Sequence, residues 1–140
     1  ITASEVAKDF IYETKSKGLD TIEFNVLEDD FKEKYSAIFC WRVLVHFTKE
    51  DVYKVLDKVY KTLENDGTFI FNVMNKDIKD VDEEWVDFSN EYHMGEDRFY
   101  KYFIKEDIEN MIQQVGYKIY KFHYEGGNDN NKWLVYVLKK

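Results

Sequence analysis

His46 is the residue of this sequence best suited to acid–base chemistry, because histidine is the side chain whose ordinary pKa lies closest to neutral. It follows the apolar run at residues 37–41, so a buried strand there would leave it near the strand's end. In that position its imidazole could accept a proton as a general base. The alternative is a structural histidine that caps or packs beneath the next helix.

Cys40 is the single cysteine of the chain, which excludes a disulfide framework and a cysteine zinc cluster. It lies within the apolar run and has no histidine or asparagine pattern around it, so we interpret it as a small buried hydrophobic residue. The three histidines, His46, His93 and His123, follow no metal-ligand spacing. The sequence therefore predicts no metal site.

Composition limits the classes of protein that this chain can belong to. Its 140 residues carry 20 Lys+Arg against 28 Asp+Glu, a net charge of -8, with 44% hydrophobic and 18% aromatic residues. That balance predicts one globular domain and argues against nucleic-acid binding, which needs a positive face. No apolar run is long enough to span a membrane, and no secretory signal is present, so we expect a cytoplasmic protein without a membrane partner.

A βαβ unit is the clearest structural pattern in the sequence. Residues 37–41 and 68–74 are nearly continuous apolar runs, typical of strands buried on both faces. Between them, Thr48 can cap a helix whose apolar stripe runs from Val52 to Leu63, and residues 65–67 form a turn. Strand, helix and strand in this order predict two parallel strands joined by a crossover.

The remaining segments show weaker but readable patterns. Residues 76–103 are first acidic and then aromatic without clear periodicity, which is typical of a functional insert. The other predicted elements are a helix at 4–17 capped by Ser4, a strand at 21–26, a helix at 106–115 closed by Gly116, and an antiparallel hairpin formed by strands at 117–124 and 132–138.

This order of elements resembles the C-terminal part of the class I S-adenosylmethionine-dependent methyltransferases, and short motifs support the resemblance. Residues 35–47, YSAIFCWRVLVHF, are similar to the family's F-D-x-V-x-x-x-x-V-L-x-H pattern at its fourth strand. Residues 63–69, LENDGTF, are similar to its L-K-P-G-G-x-L turn. Residues 104–108 and 115–117 are similar to its T-x-E-E-L helix and G-F turn, and residues 133–138 would form its seventh strand.

The resemblance implies an α/β fold with a Rossmann-like methyltransferase sheet of parallel strands and a terminal antiparallel hairpin, incomplete at its N-terminus. Nothing in the sequence matches the family's glycine-rich cofactor loop, and the acid that holds the ribose is expected to fall just before Ile1. Ser36 stands at the family's usual aspartate position. We therefore expect a single partial methyltransferase domain over residues 1–140 that lacks its N-terminal third and is inactive alone.

The family also implies S-adenosylmethionine as the cofactor and specific residues around it. Asn25, Val26 and Leu27 match the segment that brackets the adenine, whose amino group could donate to the Asn25 amide oxygen or to the Glu28 carboxylate. Cys40, Trp41 and Arg42 match the segment that lines the methionine part of the cofactor. The structural alternatives are an ordinary polar strand end at Asn25, and a core tryptophan beside a surface arginine.

For the methyl acceptor, the resemblance implies a pocket built from the insert and from the segment after the fourth strand. The expected substrate residues are Tyr92, His93 and Tyr100, with His46 as the catalytic base. Alternatively, the aromatic residues of the insert cover the edge of the sheet. The acceptor is expected to be a small molecule.

Two functions from different classes follow from this sequence. The first is methyl transfer from S-adenosylmethionine to a small-molecule acceptor. The second is a non-catalytic module that self-associates as a homodimer through an exposed sheet edge. A dinucleotide-dependent oxidoreductase is disfavoured by the terminal antiparallel hairpin and by the absence of a glycine-rich turn.

Overall fold

The chain forms two compact units of unequal size. The structure is a computed structural model that describes residues 1–87, 97–126 and 131–140. One unit spans Ile1–Lys32 and the other spans Glu33–Lys140. None of the helices in these described ranges is long and apolar enough to cross a membrane.

The smaller unit is a strand–helix–strand arrangement: β1 (Thr2–Glu5), α1 (Lys8–Ser16) and β2 (Asp20–Glu23). The two strands are parallel and pair residue by residue, from Thr2 with Asp20 to Glu5 with Glu23. The predicted helix over 4–17 is therefore wrong at its start, because pairing with β2 holds this segment extended. Ser4 caps nothing; instead the Glu5 carboxylate accepts from the backbone N–H groups of Val6 and Ala7.

Among its described residues, the larger unit contains six strands and two α-helices. Short 3₁₀ helices at Leu44–His46 and Lys76–Ile78 join some of them. The elements are β3 (Tyr35–Cys40), α2 (Lys49–Thr62), β4 (Leu63–Asn75), β5 (Glu83–Asp87), β6 (Asp97–Phe103), α3 (Lys105–Val115), β7 (Lys118–Glu125) and β8 (Trp133–Lys139).

The predicted βαβ unit is confirmed by β3, α2 and β4. The strands run parallel, with Phe39 opposite Ile70 and Cys40 opposite Phe71. Thr48 caps α2 as expected, because its side chain accepts from the N–H of Asp51. Both carboxyl ends of these strands therefore lie at the same edge of the sheet.

One face of β4 forms the main core beneath the helices. Phe69, Phe71 and Val73 alternate along the strand and are fully buried. The Phe69 ring contacts that of Tyr117, whose hydroxyl donates to the Leu56 carbonyl of α2. The opposite face is less covered, since Phe39 of β3 is 66% exposed.

The turn predicted at residues 65–67 lies inside an irregular stretch of β4 and does not separate helix from strand. The pairing with β3 jumps from Leu63 to Thr68, and Asp66 has a left-handed φ of 61°. A Cβ at Gly67 would lie 2.8 Å from the carbonyl oxygen of Glu64. Glycine is needed here because of that close approach and not because of its φ.

The insert contains a strand pair that the sequence did not reveal. Strands β5 and β6 are antiparallel, with Glu83 opposite Lys101 and Asp87 opposite Asp97. The end of β6 then joins the main sheet, where Tyr102 and Phe103 pair in parallel with the end of β4. This pairing extends the sheet to the order β5-β6-β4-β8-β7, with β3 also paired to β4.

The predicted C-terminal hairpin is confirmed. Strand β8 runs antiparallel to β4 and to β7. Gly116 ends α3 with a φ of 108°, in the left-handed conformation that glycine adopts without strain. The larger unit thus has the mixed α/β sheet that the sequence predicts, with parallel strands bordered by an antiparallel hairpin in which β8 is reversed relative to β4.

The two faces of the sheet lead to a stability prediction for a pair of phenylalanines on neighbouring strands. We expect Phe71→Ala to lower the free energy of unfolding by about 3–5 kcal/mol, because it empties a fully buried site. Phe39→Ala serves as the matched control and should cost less than about 1 kcal/mol, because most of its ring is already in water. Urea denaturation measures both, and equal losses would contradict the assigned faces.

Candidate active site

The carboxyl ends of β3 and β4 lie side by side in the larger unit. In open α/β sheets, ligands bind beyond the carboxyl ends of parallel strands. Strand β3 ends at Cys40 and is followed directly by Trp41 and Arg42, while β4 ends at Asn75. Three predicted cofactor residues are therefore at the place where this rule expects a ligand.

A small apolar cluster, separate from the main core, occupies these strand ends. Partly buried aromatic and aliphatic residues pack against its buried members, so the cluster offers ring faces and a thioether to a ligand. Its buried members are Val45, Met74, Tyr102, Trp133 and Val135, and the partly buried ones are Trp41, Ile78 and Tyr100.

Arg42 holds an unusual backbone conformation beside this cluster. Its φ is 59°, in the left-handed region that non-glycine residues seldom adopt. Its N–H donates to Oδ1 of the buried Asn72 at 2.7 Å, which holds the turn after β3. Its guanidinium lies 5.4 Å from the centre of the Trp133 ring, a cation–π distance, and the residue itself is exposed.

His46 lies at the end of the 3₁₀ helix that follows β3. Its Nδ1 is 2.8 Å from the carbonyl oxygen of Phe99 in β6, and its ring makes an edge contact with Tyr100 at 4.8 Å. A carbonyl oxygen can only accept, so Nδ1 carries the proton of this bond. In the neutral imidazole, Nε2 is then the unprotonated nitrogen and can accept a proton.

Cys40 is not suited to nucleophilic chemistry at neutral pH. Burial raises the pKa of its thiol to about 12, well above the ordinary value for cysteine. The thiolate is the reactive form, so the residue stays protonated and unreactive. Its contribution to a ligand site is therefore apolar contact.

Tyr102, a cluster member that lies in β6, joins the cluster to β5 by a polar contact. Its hydroxyl donates to the Glu84 carboxylate, which also pairs with Lys79 at 2.9 Å. These hydrogen bonds, from Tyr102 first and then Lys79, lower the pKa of Glu84. Burial, followed by the bond to Glu84, raises the pKa of Tyr102, so its phenol stays neutral.

The smaller unit has an acid at a strand end that our sequence analysis missed. Glu5 ends β1, and the parallel β2 ends at Glu23. The sequence analysis did not consider this acid, because it assigned the segment to a helix and the structure makes it a strand. The alternation of small and polar residues at 2–5 was the available signal, but four residues are too few for a reliable period.

The segment predicted to bracket adenine forms a tight loop after β2. The strand ends at Glu23 and does not reach Val26, because Asn25 begins a turn. The Asn25 Oδ1 accepts from the N–H of Leu27 at 3.1 Å, while the Asn25 N–H donates to the Asp29 carboxylate at 2.7 Å. The amide oxygen that we assigned to a ligand therefore already holds the loop, with one lone pair left.

The predicted substrate residues are only partly described by the structure. Tyr92 and His93 lie outside the described residues. Tyr100 is described, and it lies beside His46 at the strand-end cluster. The structure thus brings together the predicted base and one predicted substrate residue, which are far apart in sequence.

Comparison with known proteins agrees with this architecture. A family model described as a methyltransferase domain matches residues 4–121, which include parts of both units. No curated protein matches the chain in sequence.

Solved structures resemble the chain closely in fold and weakly in sequence. An S-adenosylmethionine-dependent methyltransferase from Clostridium acetobutylicum aligns over 99% of this chain and 74% of its own, with 15% identity and a TM-score of 0.79. One from Methanosarcina mazei aligns over 99% and 81%, with 10% identity and a TM-score of 0.80.

A third similar structure contains ligands. It is the 1,6-didemethyltoxoflavin-N1-methyltransferase of Burkholderia thailandensis with bound 1,6-didemethyltoxoflavin and S-adenosylhomocysteine. It aligns over 99% of this chain and 60% of its own, with 14% identity and a TM-score of 0.71. At identities this low, the structural likeness shows a shared fold.

The raised pKa of Cys40 leads to a prediction about its reactivity. At pH 9 we expect iodoacetamide to alkylate the native chain more than about a hundredfold more slowly than the urea-unfolded chain, because only the unfolded thiol has its ordinary pKa. Above that ordinary pKa, the unfolded state also releases a proton that the native state keeps, so stability should fall as pH rises further. Equal alkylation rates in the two states would contradict the assigned burial.

Proposed function

This chain belongs to the methyltransferase domain family, and on that basis we propose that it transfers a methyl group from S-adenosylmethionine to a small-molecule acceptor. The observation that carries the proposal is the parallel pairing of β3 with β4, bordered by the reversed strand β8, over a segment that the family model matches. That arrangement supports a ligand at the carboxyl ends of the two parallel strands.

Methyl transfer from a sulfonium is an in-line displacement that depends mainly on placing the two reactants. Orientation of this kind can contribute roughly 7–11 kcal/mol to lowering the barrier, so few catalytic side chains are needed. The bound cofactor supplies the electrophilic methyl group. The chain's own task is to hold the cofactor and acceptor in line and to exclude water.

Residues of the larger unit support the methionine end of the cofactor in this proposal. Cys40 and Trp41 provide apolar contact, and an aromatic face favours a nearby cation such as a sulfonium. Arg42 is suited to a carboxylate, because its guanidinium is exposed and positive. Its charge disfavours a position next to the sulfonium itself.

Residues of the smaller unit resemble the family's adenosine-binding positions. Glu5 ends β1, where the family carries the acid that holds the ribose hydroxyls. Its carboxylate also accepts from two backbone N–H groups, which fixes its orientation. Asn25, Val26 and Leu27 follow β2 in the loop assigned to the adenine, and Val26 and Leu27 offer partly buried apolar side chains.

The acceptor side of the proposal is built around His46. The Phe99 carbonyl holds the proton on Nδ1, which leaves Nε2 to take a proton from the acceptor as the methyl group arrives. Tyr100 lies against the imidazole and is the substrate residue that we propose from the described part of the insert. Tyr92 and His93 remain sequence-based proposals for the same pocket.

We also propose that residues 1–140 are inactive alone and work as part of a longer methyltransferase domain. The family uses a glycine-rich loop against the cofactor, and no segment of this sequence matches it. The alternative function is a non-catalytic module that self-associates through a sheet edge. An observation favouring it is that β3, with the uncharged sequence YSAIFC, pairs only with β4 within the described residues.

One experiment tests both functions. Calorimetry with S-adenosylmethionine and light scattering are run on residues 1–140 and on the protein as its gene encodes it. We expect micromolar binding and transfer of labelled methyl to a small-molecule extract by the gene-encoded protein, with weak or no binding by residues 1–140. If the gene-encoded protein does not bind S-adenosylmethionine, the proposal of a methyltransferase is overturned. Micromolar binding by residues 1–140 would overturn the proposal that they are inactive alone. A strict monomer would exclude the self-associating module.

The role of His46 is tested by His46→Asn in the gene-encoded protein. Asparagine keeps an N–H donor near the position of Nδ1 for the Phe99 carbonyl but removes the Nε2 base. We expect kcat to fall about 10²–10⁴-fold with cofactor affinity unchanged, because only the proton-accepting nitrogen is lost.

The matched control for this substitution is His123→Asn, which changes an exposed histidine on β7. We expect this variant to keep the wild-type rate. If His46→Asn behaves in the same way, His46 is a structural histidine.

A further inference from the structure

Asn72 is almost fully buried in β4, but only half of its amide is used. The residue is 1% exposed, and its Oδ1 accepts from the Arg42 N–H at 2.7 Å. Because a backbone N–H only donates, the oxygen must face Arg42, which fixes the orientation of the amide. Its Nδ2 has no hydrogen-bond partner within the described part of the chain.

Asn75, the other buried asparagine of β4, uses both polar atoms of its side-chain amide in hydrogen bonds. It is also 1% exposed, but its Nδ2 donates to the Asn131 carbonyl at 2.9 Å, and its Oδ1 accepts from the Asp77 N–H at 3.2 Å. Buried polar atoms in native proteins nearly always have a partner, and a buried donor without one is costly. The unpaired Nδ2 of Asn72 therefore points to a ligand.

The surroundings of Asn72 define what that ligand is. Val135 is opposite Asn72, and Trp133 is opposite Met74 two pairs further on, so all four side chains share one face of the sheet. Above Trp133 lies the Arg42 guanidinium, which pairs with no carboxylate of the described residues. The face thus combines one neutral donor and one cation with apolar walls.

We propose that Asn72 Nδ2 and the Arg42 guanidinium bind a carboxylate at the ends of β3 and β4. A carboxylate only accepts hydrogen bonds and carries negative charge, so it matches a donor and a cation. The buried surroundings of Asn72 strengthen its contact, and the exposed Arg42 contributes its charge. A cationic amine is disfavoured, because the Arg42 guanidinium would repel it.

This inference rests on the proposed function, and two carboxylates are compatible with it. One is the carboxylate of the cofactor's methionine part, and the other is that of a planar aromatic acid bound as the methyl acceptor against the tryptophan rings. Both have the same chemistry at Asn72. The experiment separates them by using probes that carry one carboxylate or none.

The test follows the Asn72 side-chain NH₂ signal by NMR in the gene-encoded protein, labelled with ¹⁵N and assigned by its loss in Asn72→Asp. The probes are S-adenosylhomocysteine, 5′-methylthioadenosine, which lacks the amino-acid portion, and benzoate, each added to millimolar concentration. A downfield shift with S-adenosylhomocysteine but not with methylthioadenosine identifies the cofactor carboxylate. A shift with benzoate identifies an acidic acceptor.

Asn72→Asp measures the contribution to affinity. Aspartate keeps an oxygen for the Arg42 N–H but replaces the donor with a negative oxygen, so carboxylate binding should weaken by at least about tenfold. Methylthioadenosine binding should not change. The Asn75 side-chain signal is the internal reference, because both of its polar atoms already have partners.

The outcomes separate this inference from the proposed function. No shift of the Asn72 signal with either carboxylate overturns the inference, and so does unchanged carboxylate affinity in Asn72→Asp. If S-adenosylhomocysteine shifts other signals but not that of Asn72, and benzoate does not shift it either, the inference fails while the cofactor assignment survives. If benzoate shifts Asn72 while S-adenosylhomocysteine binds nowhere, the inference holds and the cofactor assignment fails.

Discussion

Parallel pairing of β3 with β4 is the constraint on which the rest of the larger unit depends. Two parallel strands cannot be joined by a tight turn, so the chain crosses over through α2 and buries its apolar stripe on one face. Phe69, Phe71 and Val73 complete the core on that face. As a result, the two strands end at the same edge, with their following loops exposed to a ligand.

The site depends on how polar groups are held at those ends. Asn72 fixes the left-handed turn at Arg42, and the Phe99 carbonyl fixes the proton on His46. Tyr102 of β6, a member of the apolar cluster, donates to Glu84 and so attaches β5 to the same place. Each contact joins segments distant in sequence, so the geometry of the site is a product of the sheet and not of any single motif.

Where the sequence analysis failed, the cause was a contact made elsewhere in the chain. Residues 2–5 have a local pattern compatible with helix, and only pairing with β2 makes them a strand that ends at Glu5. The sequence of β5 and β6 shows no clear hydrophobic period. These two strands are defined instead by their pairing with each other and with β4. Asn25 was expected on a strand, but its hydrogen bonds to Leu27 and Asp29 form a turn.

By itself, the sequence determined the elements whose signals are local and strong. Two strands are fixed by the apolar runs around Phe39 and Ile70. One helix begins at the Thr48 cap and another ends at Gly116. These signals can be read from the sequence because burial and backbone propensity act within a few residues. Only the tertiary structure decided that His46 meets Phe99 and Tyr100, and that Asn72 keeps an unused donor beside Arg42. Those relations depend on strand register and on distant segments, which residue types alone do not encode.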